Sequence, residues 1–144
     1  MSYQNMSPLN RRLQKSIELL KPPPKQTVSE WAVTNRILSS ESSSEPGKYN
    51  LARAPFQKGW QDAISDPRIH TIIGMTSAQV GKTETFLNNP VGYFIAQDPA
   101  PILVIQPTLE MAQTWSKDRF APMLRDSPAL KDLVQDPRAR SSNN

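Results

Sequence analysis

The sequence predicts an α/β fold, a parallel sheet with flanking helices, behind a helical N-terminal segment. Three observations carry that expectation. The apolar runs "HTIIGM" (70–75) and "APILVIQPT" (100–108) are rich in β-branched residues and bounded by turn formers, as buried strands are. Amphipathic stretches at helical spacing lie before, between and after them. Strands alternating with helices point to parallel pairing, because a helix must carry the chain back between parallel neighbours. Two strands do not complete such a sheet, so the chain is expected to be the opening of a larger domain.

Each element has its own signal. Residues 7–20, "SPLNRRLQKSIELL", set Leu9, Leu13, Ile17 and Leu20 on one helical face, and the prolines at 22–24 stop it. In "TVSEWAVTNRIL" (27–38), Thr27 and Glu30 have the spacing of a capping box, with Val28, Trp31 and Leu38 as apolar positions. "SSESSSEPGKYN" (39–50) is serine-rich and broken by Pro46 and Gly47, the composition of a surface loop or linker. The chain thus divides into a helical segment with its linker at 1–50 and a compact region at 51–144.

In the compact region Phe56, Trp60, Ala63 and Ile64 share a helical face, which Asp66-Pro67 ends. A helix is expected from Lys82 onward, with a kink or restart at Pro90. Thr108 is placed to cap a helix with Leu109, Ala112 and Trp115 inward. Pro128 opens a last short helix in "SPALKDLV" (127–134), before the polar tail "QDPRARSSNN".

Bulk composition bounds the function. With 144 residues, 37% of them hydrophobic, there is room for one modest domain. The absence of cysteine excludes disulfides and thiolate metal sites and suits a reducing cytosol. The apolar runs are too short to cross a bilayer, and no apolar stretch follows the first charges, so neither a membrane nor a signal peptide is expected. A net charge of +4 permits an anionic partner such as nucleotide or DNA.

The chemistry sits in "IIGMTSAQVGKTETFLNN" (72–89). A phosphate-binding loop aims backbone N–H groups at phosphate oxygens from the first turn of a helix, in the pattern G-x-x-x-x-G-K-[ST]. Gly81 lets the backbone come close, Lys82 reaches the terminal phosphates, and the Thr83 hydroxyl can join a Mg²⁺ shell. Thr76 stands where the first glycine belongs, and Gly74 lies two residues too early to replace it.

The segments "RAPFQKGWQDAISDP", "GMTSAQVGKTETFLN", "GYFIAQDPAPILVIQPT" and "MAQTWSKDRFAPMLRDSPAL", in this order and spacing, resemble the ATPase region of lambda-type phage terminase large subunits. These are the motors that package DNA into proheads, and the resemblance spans residues 27–144. It implies an incomplete P-loop NTPase, helicase-like in its sheet, that stops before the Walker B strand. Ser77, Ala78, Gln79, Val80, Gly81, Lys82, Thr83 and Glu84 then bind ATP, with Lys82 the catalytic charge and Thr83 on Mg²⁺, and Thr76 is a family variant. Phe56 and Gln57 match the segment near the adenine, where the Gln57 amide can read a donor and an acceptor. "QPT" (106–108) resembles a motif facing the nucleic-acid track. The implied partners are double-stranded viral DNA, the terminase small subunit through the N-terminal segment, and the portal and prohead, all in the host bacterial cytoplasm.

Two departures qualify this. Many packaging motors carry a basic residue inside the loop where this chain has Gln79, so that charge must come from elsewhere. No apolar run ends in the acidic pair that hydrolysis needs. Asp118, Asp126, Asp132 and Asp136 fall on helices or loops, and His70 at a strand start reads as structural. The family's nuclease domain is expected beyond Asn144. Whether the chain is itself an enzyme stays open, and two other functions do too: a helicase-like DNA translocase fragment, or a non-catalytic adaptor that docks a small subunit.

Overall fold

The computed structural model describes residues 8–20, 25–131 and 133–134. The capping box forms. The Thr27 hydroxyl accepts from the Glu30 amide at 3.3 Å, and the Glu30 carboxylate accepts from the Thr27 amide at 2.9 Å. These bonds start α2 (Val28–Asn35), which follows α1 (Pro8–Leu20). Leu9, Leu13 and Ile17 of α1 are exposed. Past α2 the chain enters strand β1 (Ile37–Leu38), which pairs antiparallel with β2 (Gly47–Lys48), Ile37 opposite Lys48 and Leu38 opposite Gly47. The serine-rich stretch is therefore the connection of a small hairpin, and Leu38 belongs to it rather than to the helix. A 3-10 turn (Leu51–Arg53) leads into α3 (Gln57–Ile64).

Both later helices restart at a proline by the same device. The helix that begins at Lys82 widens into a π turn over Glu84–Asn88 and resumes as α4 (Asn89–Ala96) with Pro90 in its first turn. The next runs as α5 (Leu109–Trp115), a π turn over Ser116–Phe120, and α6 (Ala121–Asp126) with Pro122 in its first turn. Proline cannot donate a backbone hydrogen bond, and its ring crowds the preceding turn. Widening that turn relieves the crowding while the axis continues.

The core lies where α2 meets α4. Val28, Trp31, Ala32, Tyr49, Val91, Tyr93, Met123 and Leu130 are buried together, and Trp31 meets Tyr93 edge-on with ring centroids 6.4 Å apart. Gly92 makes the approach possible: a Cβ there would sit 2.5 Å from the Trp31 ring and 3.4 Å from Leu130. Residues 28–32 thus share one core with residues 91–130.

Four expectations are corrected. The runs 70–75 and 100–108 form no strand; they are irregular chain with Ile73 89%, Met75 97%, Leu103 84% and Ile105 81% exposed. A strand exists by virtue of a hydrogen-bonded neighbour, and among the described residues neither run has one. On α3 the fully buried positions are Gln57 and Gln61, which face a hydrogen-bonded interior; of the expected apolar face Trp60, Ala63 and Ile64 are half-buried, Ile64 against the core, and only Phe56 is exposed. Leu109 is 75% exposed, although its neighbours Ala112 and Trp115 are half-buried and Thr108 caps α5 as expected, accepting from the Met111 amide at 3.2 Å. Residues 128–131 form turns instead of a helix, closed by the Leu130 amide on the Ser127 carbonyl at 2.9 Å. The break at 22–24, the Leu20 side chain, Asp132, Asp136 and the polar tail lie outside the described residues.

The same substitution should act in opposite directions at two helical glycines. At Gly92, alanine must displace a Trp31 ring that is 1% exposed. Its helix propensity gain of about 1 kcal/mol is then outweighed, leaving a net loss of about 1–3 kcal/mol. At Gly59 a Cβ meets nothing within 4 Å, so alanine should stabilise by about 0.5–1 kcal/mol. Urea unfolding of the two variants checks the pair; stabilisation by Gly92→Ala would contradict the packing described.

Candidate phosphate-binding loop

The backbone reverses sharply over residues 78–81 and enters a helix at Lys82. Gln79 has φ 57° and Gly81 has φ 77°, both left-handed. The curl is therefore made at 79 and 81, and Thr76 needs no glycine-like freedom. For glutamine that conformation costs roughly 1–2 kcal/mol, so something must hold it. The first helical bond runs from the Thr85 amide to the Gly81 carbonyl at 3.0 Å. The amides of Lys82, Thr83 and Glu84 come before it and have no carbonyl to pair with inside the helix. Lys82 and Thr83 are exposed beside them, as are Ser77, Ala78 and Gln79, while Val80, Gly81 and Glu84 are half-buried. Unpaired helix-start amides beside a lysine and a hydroxyl can cradle an anion and give a cation one oxygen.

A chain of buried polar groups supports the loop from below. Gln61 Nε2 donates to the Tyr49 hydroxyl at 2.8 Å, Tyr49 donates to Gln57 Oε1 at 2.9 Å, and Gln57 Nε2 donates to the Val80 carbonyl at 2.7 Å. Burial raises the Tyr49 hydroxyl above the ordinary phenol value, so it keeps its proton and remains a donor at neutral pH.

A second network holds the start of the helix. Arg36, 2% exposed, donates from Nε to Asn89 Oδ1 at 3.0 Å, from one terminal nitrogen to the Ile37 carbonyl and Ser127 Oγ at 3.3 Å each, and from the other to Glu84 at 2.6 Å. The remaining Glu84 oxygen accepts from Asn88 at 2.6 Å, and Asn88 accepts from the Trp115 indole at 2.8 Å. Glu84 thereby ties the residue after Thr83 to α2 and to α5.

Cavities flank the loop. One of about 350 Å³ lies between it and the hairpin, walled by Lys48, Tyr49, Arg53, Gln57, Gly81 and Glu84. Another, about 480 Å³, has Thr83, Leu87, Gln106, Trp115 and Arg119 in its wall, which puts the glutamine of "QPT" on the same cavity as Thr83. Phe56 is 53% exposed and ends a row of rings, edge-on to Trp60 at 5.7 Å, with Trp60 stacked on Phe86 at 5.3 Å. His70 and Asp118 are exposed, and Asp126 pairs with Arg125 at 2.7 Å. Among the described residues no three acidic, histidine or cysteine side chains gather to hold a metal. Nor is any helix among them long and apolar enough to cross a membrane.

Sequence reasoning missed Arg36, Tyr49 and Gln61. Arg36 and Gln61 are polar residues on stretches read as helical, where solvent exposure is the ordinary expectation, and only their fold partners reveal their burial.

Comparison with known proteins shows the family. The model of a family described as "Phage terminase large subunit gpA, ATPase domain" matches residues 43–144. The chain belongs to that family. It is 34% identical over 118 residues to the terminase large subunit of Enterobacteria phage P21, covering 82% of this chain. To that of Escherichia phage lambda it is 32% identical over 116 residues, covering 81%. The chain spans 18% of the length of each of these relatives. No solved structure matches it significantly. Membership of an ATPase-domain family implies nucleotide use, and the loop at 77–84 lies within the matched region.

The Arg36 network makes a sharp stability prediction. Removing Arg36 leaves a carboxylate and three further acceptors without their donor, so Arg36→Ala should cost about 3–5 kcal/mol. Arg125 pairs with Asp126 and Glu41 at the surface, and Arg125→Ala should cost less than about 1 kcal/mol. Denaturant midpoints measure both; equal costs would show that burial does not set the value of the Arg36 contacts.

Proposed function

We propose that this chain is the ATP-binding portion of a terminase large subunit, and that residues 77–84 hold the nucleotide whose hydrolysis powers packaging of viral DNA. The observation that carries this reading is the left-handed turn at Gln79 and Gly81 leading straight into a helix whose exposed first residues are Lys82 and Thr83. Lys82 supplies the positive charge for the terminal phosphates. Thr83 offers Mg²⁺ one hydroxyl oxygen, and because Mg²⁺ usually keeps waters and phosphate oxygens in its shell, one protein oxygen at this point fits it. The exposed ring of Phe56 gives the adenine a surface to stack on.

The same reading assigns the wider partners by family. Double-stranded DNA, the small subunit through residues 1–38, and the portal of the prohead belong to the working motor in the host cytoplasm. Gln79 supplies no charge to the transferring phosphoryl group, so a basic residue from another segment or subunit completes the site.

Binding of ATP with Mg²⁺, followed by calorimetry on the 144-residue chain, tests the assignment. Lys82→Ala removes charge-assisted bonds to phosphate and should weaken binding at least about tenfold. Unchanged affinity in the variant would remove the loop from consideration as the nucleotide site.

A further inference from the structure

We propose that Gln57 is a positioning residue that holds the phosphate-binding loop through the Val80 carbonyl, and that it does not read the base. The inference rests on the nucleotide assignment above and says how that site keeps its shape.

Three observations converge. First, the Gln57 amide is already committed. Its oxygen accepts from Tyr49 at 2.9 Å and its nitrogen donates to Val80 at 2.7 Å. The side chain is buried, with the residue 5% exposed, and the donor and acceptor a base would need are both spent on Val80 and Tyr49. Second, the orientation of the amide is fixed by its neighbours. The Val80 carbonyl can only accept, so the atom 2.7 Å from it must be the donor Nε2, which turns Oε1 toward Tyr49. The Tyr49 hydroxyl then gives its proton to Oε1 at 2.9 Å and has a lone pair left for Gln61 at 2.8 Å. Third, the amide occupies the place of a side chain at the glycine before Lys82. A Cβ on Gly81 would lie 2.5 Å from Gln57 Nε2.

The physical consequence follows from peptide geometry. The Val80 carbonyl and the Gly81 amide belong to one planar unit and point in opposite directions. Drawing the carbonyl down onto Gln57 turns the Gly81 N–H up, away from the core and toward the face that carries Lys82. The bond also stabilises the left-handed backbone on either side of it, at Gln79 and Gly81. Gln57 thereby preorganises the cradle before any ligand arrives, and its effect extends to every ligand with the same phosphates.

The test compares ATP, GTP and inorganic tripolyphosphate, each with Mg²⁺, by calorimetry well below the unfolding temperature of each variant. Gln57→Glu keeps the acceptor for Tyr49 and loses the donor to Val80. Binding of all three ligands should weaken by a common factor of about ten. Tyr49→Phe leaves Gln57 in place and frees its oxygen, so it should weaken all three equally and by a smaller factor. Hydrogen exchange should show faster exchange at residues 80–82 in both variants, with α2 and α4 unchanged. A loss confined to ATP would overturn the proposal and make Gln57 the base reader. A lower melting temperature with all three affinities unchanged would also overturn it, leaving a packing residue. If Gln57→Glu does not fold, Tyr49→Phe decides alone by the same two criteria. Failure of the nucleotide assignment itself has a separate signature, undiminished tripolyphosphate binding in Lys82→Ala.

Discussion

A guanidinium buried between α2 and α4 constrains most of this structure. Arg36 cannot leave water unless acceptors surround it, because an unpaired buried charge costs several kcal/mol. The fold meets that demand from separate parts of the chain: the first strand residue at Ile37, the helix restart at Asn89, the turn at Ser127 and the loop helix at Glu84. Each is thereby fixed relative to the C-terminal end of α2. Residues 28–39, upstream of the match to the ATPase-domain family, are for this reason part of the same packed unit, and the Trp31–Gly92 contact closes it on the apolar side.

The interior beneath the loop is largely polar. Gln57, Gln61, Thr85, Asn88 and Asn89 are buried with Arg36, while Phe56, Ile73, Met75, Leu103 and Ile105 stand outside. A polar interior of this kind gives direction, since each donor needs its acceptor in one place, where an apolar core tolerates sliding. Direction is what a phosphate cradle requires. Its amides act only if the backbone is held in a left-handed turn that glutamine at 79 would otherwise leave. Gln57 bonds the turn itself, and Glu84 anchors the helix that follows it to Arg36.

Legibility in the sequence followed the range of the interaction. The Thr27 capping box, the Thr108 cap, the restarts at Pro90 and the Gly-Lys-Thr step into a helix are decided within a few residues, and all could be read directly. The buried face of α3 could not. Apolar periodicity pointed to Phe56, Trp60 and Ile64, whereas the partners that make Gln57 and Gln61 the inner positions lie at Tyr49 and Val80. The apolar runs at 70–75 and 100–108 had the composition of strands, and composition is no substitute for a neighbour to pair with. Among the described residues, the hairpin of β1 and β2 is the one place where strands find each other.

The central claim is that buried polar bonds, and not a sheet, fix the loop in this chain. Residue-resolved hydrogen exchange on the monomer tests it most directly. Protection should be highest in α2 and in the helix from Thr85 through α4, lost together in one cooperative transition, with 70–75 and 101–106 exchanging at nearly unfolded rates. Strong protection of Ile72–Met75 and Leu103–Gln106, matching that of α2, would mean that these runs are paired strands and that the loop hangs from a sheet after all.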